Sequence, residues 1–321
     1  MLTDFMEAMS FIGSGGVYLS LLVLVYWCVD PRWGARAAVL LTISTVLNTV
    51  LKLFFHEPRP FWTDTSITGH EPRDSFGMPS GHAQSAAVFW GFAAARAPAG
   101  RPALRRAAWA VALVMIGLIG ASRVVLGVHS IGQVAAGYAI GAVLLAVGLH
   151  LEPLVVPWWT RRPLAAQLGL ALGVSLVLAG FGWAAVEALD GWHWPASWAH
   201  AIAAAGGRVE PITVGDSAAA AGGLFGLLAG LSWMAYRGGY DASGQVWRRL
   251  ARVPVGAVGV SAFYTLGLFL GTQPVQAFAG HALLALWATA GAPEAFMRLG
   301  LAPRTTRAVT RAGEERAEVR Q

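Results

Sequence analysis

The chain has 321 residues, of which 56% are hydrophobic and 12% charged, with mean hydropathy +0.55 and a formal net charge of +6. Such a composition is too apolar for a soluble globule of this length and places the chain in a bilayer. Cys28 is the single cysteine, which excludes a disulfide framework and a cysteine-based metal site.

Nine windows are long and apolar enough to approach the ~20 residues that cross a bilayer as a helix, at about 10–29, 34–55, 82–97, 107–126, 131–151, 164–186, 216–236, 254–271 and 275–291. The third, eighth and ninth are short, which leaves room for a re-entrant segment. The expected fold is therefore all-α: a polytopic membrane helix bundle of about nine transmembrane helices. The first 15 residues carry Asp4 and Glu7 but no basic residue, the wrong start for a cleavable signal, so the first helix is expected to stay in the mature protein. Tyr26 and Trp27 fall where an interfacial aromatic belt would lie. The second helix carries Asn48 and Lys52 near its end, and the prolines of His56-Glu57-Pro58-Arg59-Pro60 stop it and open a polar, turn-rich loop to about Ser80.

The third helix begins at Pro79-Ser80-Gly81-His82. Pro79 and Gly81 favour a tight turn, Ser80 is a good N-cap, and the free N–H groups of a helix start suit a phosphate. His82 adds a group that exchanges protons near neutral pH. The fourth helix ends at Ser122-Arg123 and the fifth starts just after His129, with Gln133, Gly137 and Gly141 forming a small-residue stripe for close helix packing. Gly169 with Gly173, and Gly222, Gly226 and Gly230, repeat the device. The loop 188–215 holds Trp192, Trp194 and Trp198, read as interfacial anchors. Residues 293–321 are rich in Arg, Glu and Thr and are expected to form a disordered basic tail.

The basic residues assign the sides. All but five of the 23 fall in alternate loops, at Arg32 and Arg36, Arg96 to Arg106, Arg161 and Arg162, Arg237 to Arg252, and in the tail from Arg298. Those loops are expected to be cytoplasmic, with the N-terminus outside. Lys52, Arg59, Arg73, Arg123 and Arg208 remain for the outer face. The pI near 10.1 thus reflects topology and attraction to lipid surfaces, with no nucleic-acid partner expected.

Ionisable groups at membrane helix ends are functional candidates, and the topology gathers Lys52, Arg59, His82, Arg123 and His129 on one outer face. Three cations, two histidines and the Ser80-Gly81 backbone provide the charge neutralisation and positioning that phosphoryl transfer needs, and no metal cage is evident. One histidine can attack phosphorus while the other protonates the leaving oxygen.

Lys52 followed by Arg59-Pro60, then Pro79-Ser80-Gly81-His82, then Ser122-Arg123 followed by His129, resembles the three-part signature of the type 2 phosphatidic acid phosphatase superfamily. The resemblance covers about residues 10–186. It implies a six-helix catalytic core over 1–186, three added helices over 187–292 and a cytoplasmic tail over 293–321. It further implies that His129 is the nucleophile and His82 the general acid, with Lys52, Arg59, Ser80, Gly81 and Arg123 binding the phosphoryl oxygens and no cofactor or metal. The family usually places an Asp four residues after the nucleophile, and here that position is Gln133. A Gln carbonyl still accepts the imidazole N–H but adds no charge; if Gln133 is a weaker version of the same partner, Gln133→Asp is expected to speed the first step, and an Asp variant that folds but is no faster would mean that Gln133 has another task. The implied substrate is a lipid phosphate or diphosphate, such as undecaprenyl diphosphate or a phosphatidate-like lipid, cleaved on the outer face of a bacterial inner membrane. Sphingosine-1-phosphate-like or sugar phosphates are the alternative substrates, and a non-catalytic lipid-phosphate transporter is the alternative function.

Overall fold

The computed structural model describes residues 1–71, 74–207, 212–271 and 273–305. Arg73, Arg208 and tail residues 306–321, which entered the charge pattern above, lie outside the described residues. There is no strand among the described residues, and an isolated antiparallel bridge joins Tyr240 to Arg304.

The helices in order are α1 (Leu2–Ile12), α2 (Gly15–Cys28), α3 (Pro31–Phe55), α4 (Pro60–Thr63), α5 (Gly81–Ala95), α6 (Pro102–Val125), α7 (Ile131–Thr160), α8 (Leu164–Glu187), α9 (Ala196–Ala204), α10 (Gly215–Tyr236), α11 (Val246–Leu270), α12 (Pro274–Leu286) and α13 (Ala292–Arg298). A π-helical turn, Trp287–Gly291, joins the last two. Every predicted window is helical. Among the described residues seven helices qualify as membrane spans by length and composition, or eight if α1 and α2, bent by 48°, form one. The remaining window is α5, whose 15 residues are too few to cross a full bilayer thickness. Large apolar side chains such as Leu113, Val143, Leu176 and Phe269 face outward, as lipid-facing surfaces require.

The interior is built on close approach. Added Cβ atoms at Gly137 and Gly141 of α7 would lie 2.6 Å from the backbone oxygens of Ser80 and Gln84, so the predicted stripe seats α5 and its leading turn directly on α7. Gly222 and Gly226 do the same between α10 and α12, where added Cβ atoms would lie 2.1 and 2.0 Å from the Phe278 and Ala282 carbonyl oxygens. Gly169 and Gly173 show no such neighbour.

Three expectations change. Tyr26 and Trp27 are buried: Trp27 Nε1 donates to the Ala288 carbonyl at 2.8 Å and the Tyr26 hydroxyl to that of Thr289 at 2.8 Å. Those acceptors lie in the π turn, so the two aromatics fasten the late helices to α2. Second, the stretch expected to be a disordered tail from 293 begins as part of the fold. Phe296, Leu301 and Ala302 are buried because Arg252 of α11, itself fully buried, donates to the carbonyls of Leu301, Trp27, Ala242 and Ser243 at 2.6–3.1 Å. Third, Trp192 and Trp198 pack with Trp62 and Phe76, with ring centroids 5.8–6.1 Å apart. Aromatic pairing and apolar burial draw the loop before α9 over the chain that follows α3.

Candidate active site

The motif residues come from three connections at one end of the bundle, α3 to α4, α4 to α5 and α6 to α7. Lys52 sits in the last turn of α3, Arg59 just before α4, Ser80 at the start of α5, Arg123 in the last turn of α6, and His129 between α6 and α7. Helix α3 stops at His56, which adopts the left-handed conformation (φ 37°) ahead of Pro58. The chain then turns back so that Arg59 enters the interior.

His129 is buried, and both ring nitrogens are engaged. Arg59 Nη1 lies 3.0 Å from His129 Nε2, and His129 Nδ1 lies 3.0 Å from Gln133 Oε1. A guanidinium only donates, and the Oε1 of an amide only accepts. The pair therefore fixes the tautomer: Nδ1 carries the proton and Nε2 presents its lone pair. Burial is the main reason that the ring's pKa lies well below the ordinary histidine value, and Arg59, Lys52 and Arg123 add to it, while the Gln133 contact opposes it. The imidazole is neutral at pH 7, as a nucleophile must be.

Arg59 is 2% exposed and fully engaged. Besides His129 it donates to the Ser75 carbonyl at 2.7 Å, the Val128 carbonyl at 3.0 Å, the Ser75 hydroxyl at 3.2 Å and the Phe76 carbonyl at 3.3 Å. Lys52 Nζ also donates to the Phe76 carbonyl. Arg123 is fully buried and pairs with Glu71 Oε1 at 2.8 Å, and it donates to Ser10 of α1 as well. The structure thus brings Lys52, Arg59 and His129 together around one loop, and it holds Arg123 beside them on a carboxylate.

Ser80 occupies the N-cap position of α5, as expected. Its hydroxyl makes no cap bond, and it is buried without a hydrogen-bond partner among the described residues. His82 stands in the first turn of α5, half-buried. Two residues that sequence reasoning did not place in the site hold this turn. Asn48 Nδ2 donates to the Pro79 carbonyl at 3.2 Å and to Gln84 Oε1 at 2.9 Å, and Gln84 Nε2 donates to the backbone and hydroxyl oxygens of Ser44 at 2.8 Å. A Cβ at Gly81 would meet Asn48 Oδ1 at 3.0 Å, so glycine permits that approach. Polar residues on the apolar helix α3 were the available signal.

Gln133 does accept the imidazole N–H, but its amide nitrogen is also committed, donating to Glu57 Oε1 at 2.9 Å and to the Pro58 carbonyl at 2.8 Å. An Asp at 133 would discard both bonds and add a carboxylate near Glu57. Contrary to the reading from sequence, Gln133→Asp is therefore expected to slow the chemistry. No group of three or more His, Cys, Asp or Glu among the described residues could hold a metal ion.

A cleft of about 520 Å³ opens over His129, walled by the apolar Ile67, Val124 and Val125 and by the polar Thr68, His70 and Ser130. A second cavity, of about 370 Å³, adjoins Asp74 and Ser75 and is otherwise lined by α10, α11, α12 and the chain just before α10. Since Ser75 also holds Arg59, the late helices reach the edge of the site.

The chain is similar to known proteins over two stretches. Residues 33–157 match the family model described as PAP2 superfamily, and residues 218–304 match the one described as PAP2 superfamily phosphatase, transmembrane extension. The chain is 29% identical to phosphatidylglycerophosphatase B of Bacillus subtilis (strain 168) over 150 residues, 44% of this chain and 71% of that protein. It is 23% identical to lipid phosphate phosphatase delta of Arabidopsis thaliana over 187 residues, 56% of this chain and 45% of that protein, and so spans less than half of the plant relative. A crystal structure of a transmembrane PAP2 type phosphatidylglycerolphosphate phosphatase from Bacillus subtilis aligns with TM-score 0.41 and 25% identity over 47% of this chain and 77% of that one. The first family match contains every candidate residue from Lys52 to Gln133 and the second the helices that adjoin them, so the chain is an integral membrane protein with a PAP2 superfamily domain at 33–157 and a PAP2 phosphatase transmembrane extension at 218–304.

Proposed function

We propose that this protein hydrolyses a lipid phosphate or diphosphate without a metal, through a phosphohistidine on His129, at the outer face of a bacterial inner membrane. The observation that carries the reading is the state of His129: a buried, neutral ring whose Nε2 lone pair faces a guanidinium while Nδ1–H is held by Gln133. In the first step Arg59 Nη1 gives up its hydrogen bond and the freed Nε2 lone pair attacks phosphorus, the N–P bond forms and the P–O bond to the lipid breaks, and His82 gives its proton to the departing oxygen. In the second step water attacks phosphorus, His82 takes its proton, the N–P bond breaks and phosphate leaves. Arg59, Lys52 and the Ser80-Gly81 turn neutralise the equatorial oxygens. Arg123 joins them when a phosphoryl oxygen replaces the Glu71 carboxylate.

That the relatives include a lipid phosphate phosphatase and a phosphatidylglycerophosphatase supports a lipid over a soluble sugar phosphate. Protein purified in detergent is expected to release phosphate from phosphatidate-like, phosphatidylglycerophosphate or polyprenyl diphosphate substrates, with vanadate inhibiting and EDTA without effect. Turnover of sugar phosphates alone would overturn the lipid assignment. EDTA inhibition reversed by magnesium would overturn the mechanism, and lipid binding without turnover would favour a transporter.

Sidedness is tested separately. Thr65 and Ser197 are exposed on the site's side of the bundle, and Ser243 is exposed beside the far ends of α2 and α11. In a Cys28→Ser background, Thr65→Cys and Ser197→Cys are expected to react with an impermeant thiol reagent on intact cells, and Ser243→Cys to be protected. Labelling of Ser243→Cys on sealed cells would invert the topology.

A further inference from the structure

The nucleophilic tautomer depends on which end of the Gln133 amide faces His129. If the amide were reversed, its NH2 group would point at Nδ1 while Arg59 still pointed a donor at Nε2, so the Nδ1–H tautomer would lose its acceptor and only Arg59 would oppose a proton on Nε2. Nothing within Gln133 itself prevents reversal. The far side of the amide does. Its two hydrogens go to Glu57 Oε1 at 2.9 Å and the Pro58 carbonyl at 2.8 Å, while its oxygen accepts from His129 Nδ1 at 3.0 Å and from the Ser130 N–H at 3.3 Å. All four hydrogen-bonding positions of the amide are filled, and an ionised Glu57 can only accept.

We infer that Glu57 is a positioning residue for His129, acting through Gln133: its carboxylate fixes the amide so that the oxygen faces Nδ1. The inference rests on His129 being the nucleophile. Glu57 lies two residues before Arg59, so one short turn controls both nitrogens of the ring, Nε2 through Arg59 and Nδ1 through Glu57 and Gln133. The turn is itself held, since Gly77 N–H donates to the Glu57 carbonyl at 2.8 Å. Gly77 also closes the space around the amide, because a Cβ there would lie 2.4 Å from Gln133 Nε2. A carboxylate thus stands one residue outward from the histidine, separated from it by an amide.

The test is an exchange of the two groups. Gln133→Glu sets two carboxylates face to face and is expected to slow phosphoenzyme formation in single turnover by about 100-fold. Adding Glu57→Gln restores a donor opposite the new carboxylate, and the double variant is expected to recover at least about tenfold of that loss. Its pH profile is also expected to shift, the acid limb moving to higher pH because a carboxylate now accepts Nδ1–H directly. Glu57→Ala is expected to lose about 10- to 100-fold, and Glu57→Gln, which still offers an oxygen, much less. Nitrogen NMR of the His129 ring in detergent reads the tautomer without turnover: Nδ1–H in the wild type, a mixture in Glu57→Ala. A double variant that folds but is no faster than Gln133→Glu, or a Glu57→Ala ring that keeps a pure Nδ1–H tautomer, overturns the role of Glu57. Phosphate release by His129→Ala overturns the nucleophile assignment instead, which the tautomer measurement does not touch.

Discussion

His129→Ala is expected to abolish phosphate release, with a loss of at least about 10³-fold in kcat, because the variant lacks the imidazole nitrogen that bonds to phosphorus. The accompanying signature is an acid-labile phosphoenzyme in the wild type and none in the variant. The pH dependence follows from the same group. The ring is neutral above its folded-state pKa, which burial and the cations hold well below the ordinary value of about 6.5. Activity is therefore present at neutral pH and is lost as pH falls through that depressed value, so the acid limb of kcat/KM should lie below the ordinary histidine value of about 6.5. An acid limb at or above 6.5 would mean that the His129 ring is not the group being titrated. Stability obeys the same sign: the unfolded chain takes up the proton first, so folding weakens as pH drops below the unfolded pKa.

Arg59→Lys is expected to cost about 10²- to 10³-fold in kcat/KM despite keeping the charge. The guanidinium spans five acceptors from Ser75 and Phe76 on one side to Val128 and His129 on the other, at 2.7–3.3 Å. An ammonium is a single point with three donors and cannot reach both sides. The variant should also bind vanadate more weakly and melt at a lower temperature, since Ser75, Phe76 and Val128 would keep buried carbonyls with fewer donors. Kinetics and vanadate affinity measured on protein of unchanged helical content check this. Wild-type values for both would show that Arg59 serves the fold alone.

Much of this was legible in the sequence. Apolar windows give the helices because a chain in hydrocarbon must satisfy its backbone internally. The prolines after His56 end α3, and the spacing of Lys52, Arg59, Ser80, Gly81, His82, Arg123 and His129 places these residues at helix ends. The stripe Gly137 and Gly141 is also readable, since small residues four apart permit close approach to a neighbour. The short third window is α5, whose 15 residues are lodged against α7, and the first window is split between α1 and α2.

Pairing between distant residues is what the tertiary structure decided. Glu57 reads as an ordinary loop carboxylate, and only the fold sets it 2.9 Å from the Gln133 amide, 76 positions away. Trp27 and Tyr26 read as a belt because amphipathic rings suit an interface, yet they are buried where the π turn at Trp287–Gly291 offers carbonyls to their N–H and O–H groups. Arg252 reads as a cytoplasmic charge, yet it is enclosed by carbonyls that satisfy it. Sequence by itself determined which groups are present and at which helix ends they lie, because periodicity and hydropathy are local properties of the chain. Which donor meets which acceptor was decided by packing across the bundle, because a hydrogen bond between helices depends on distances that no local pattern encodes.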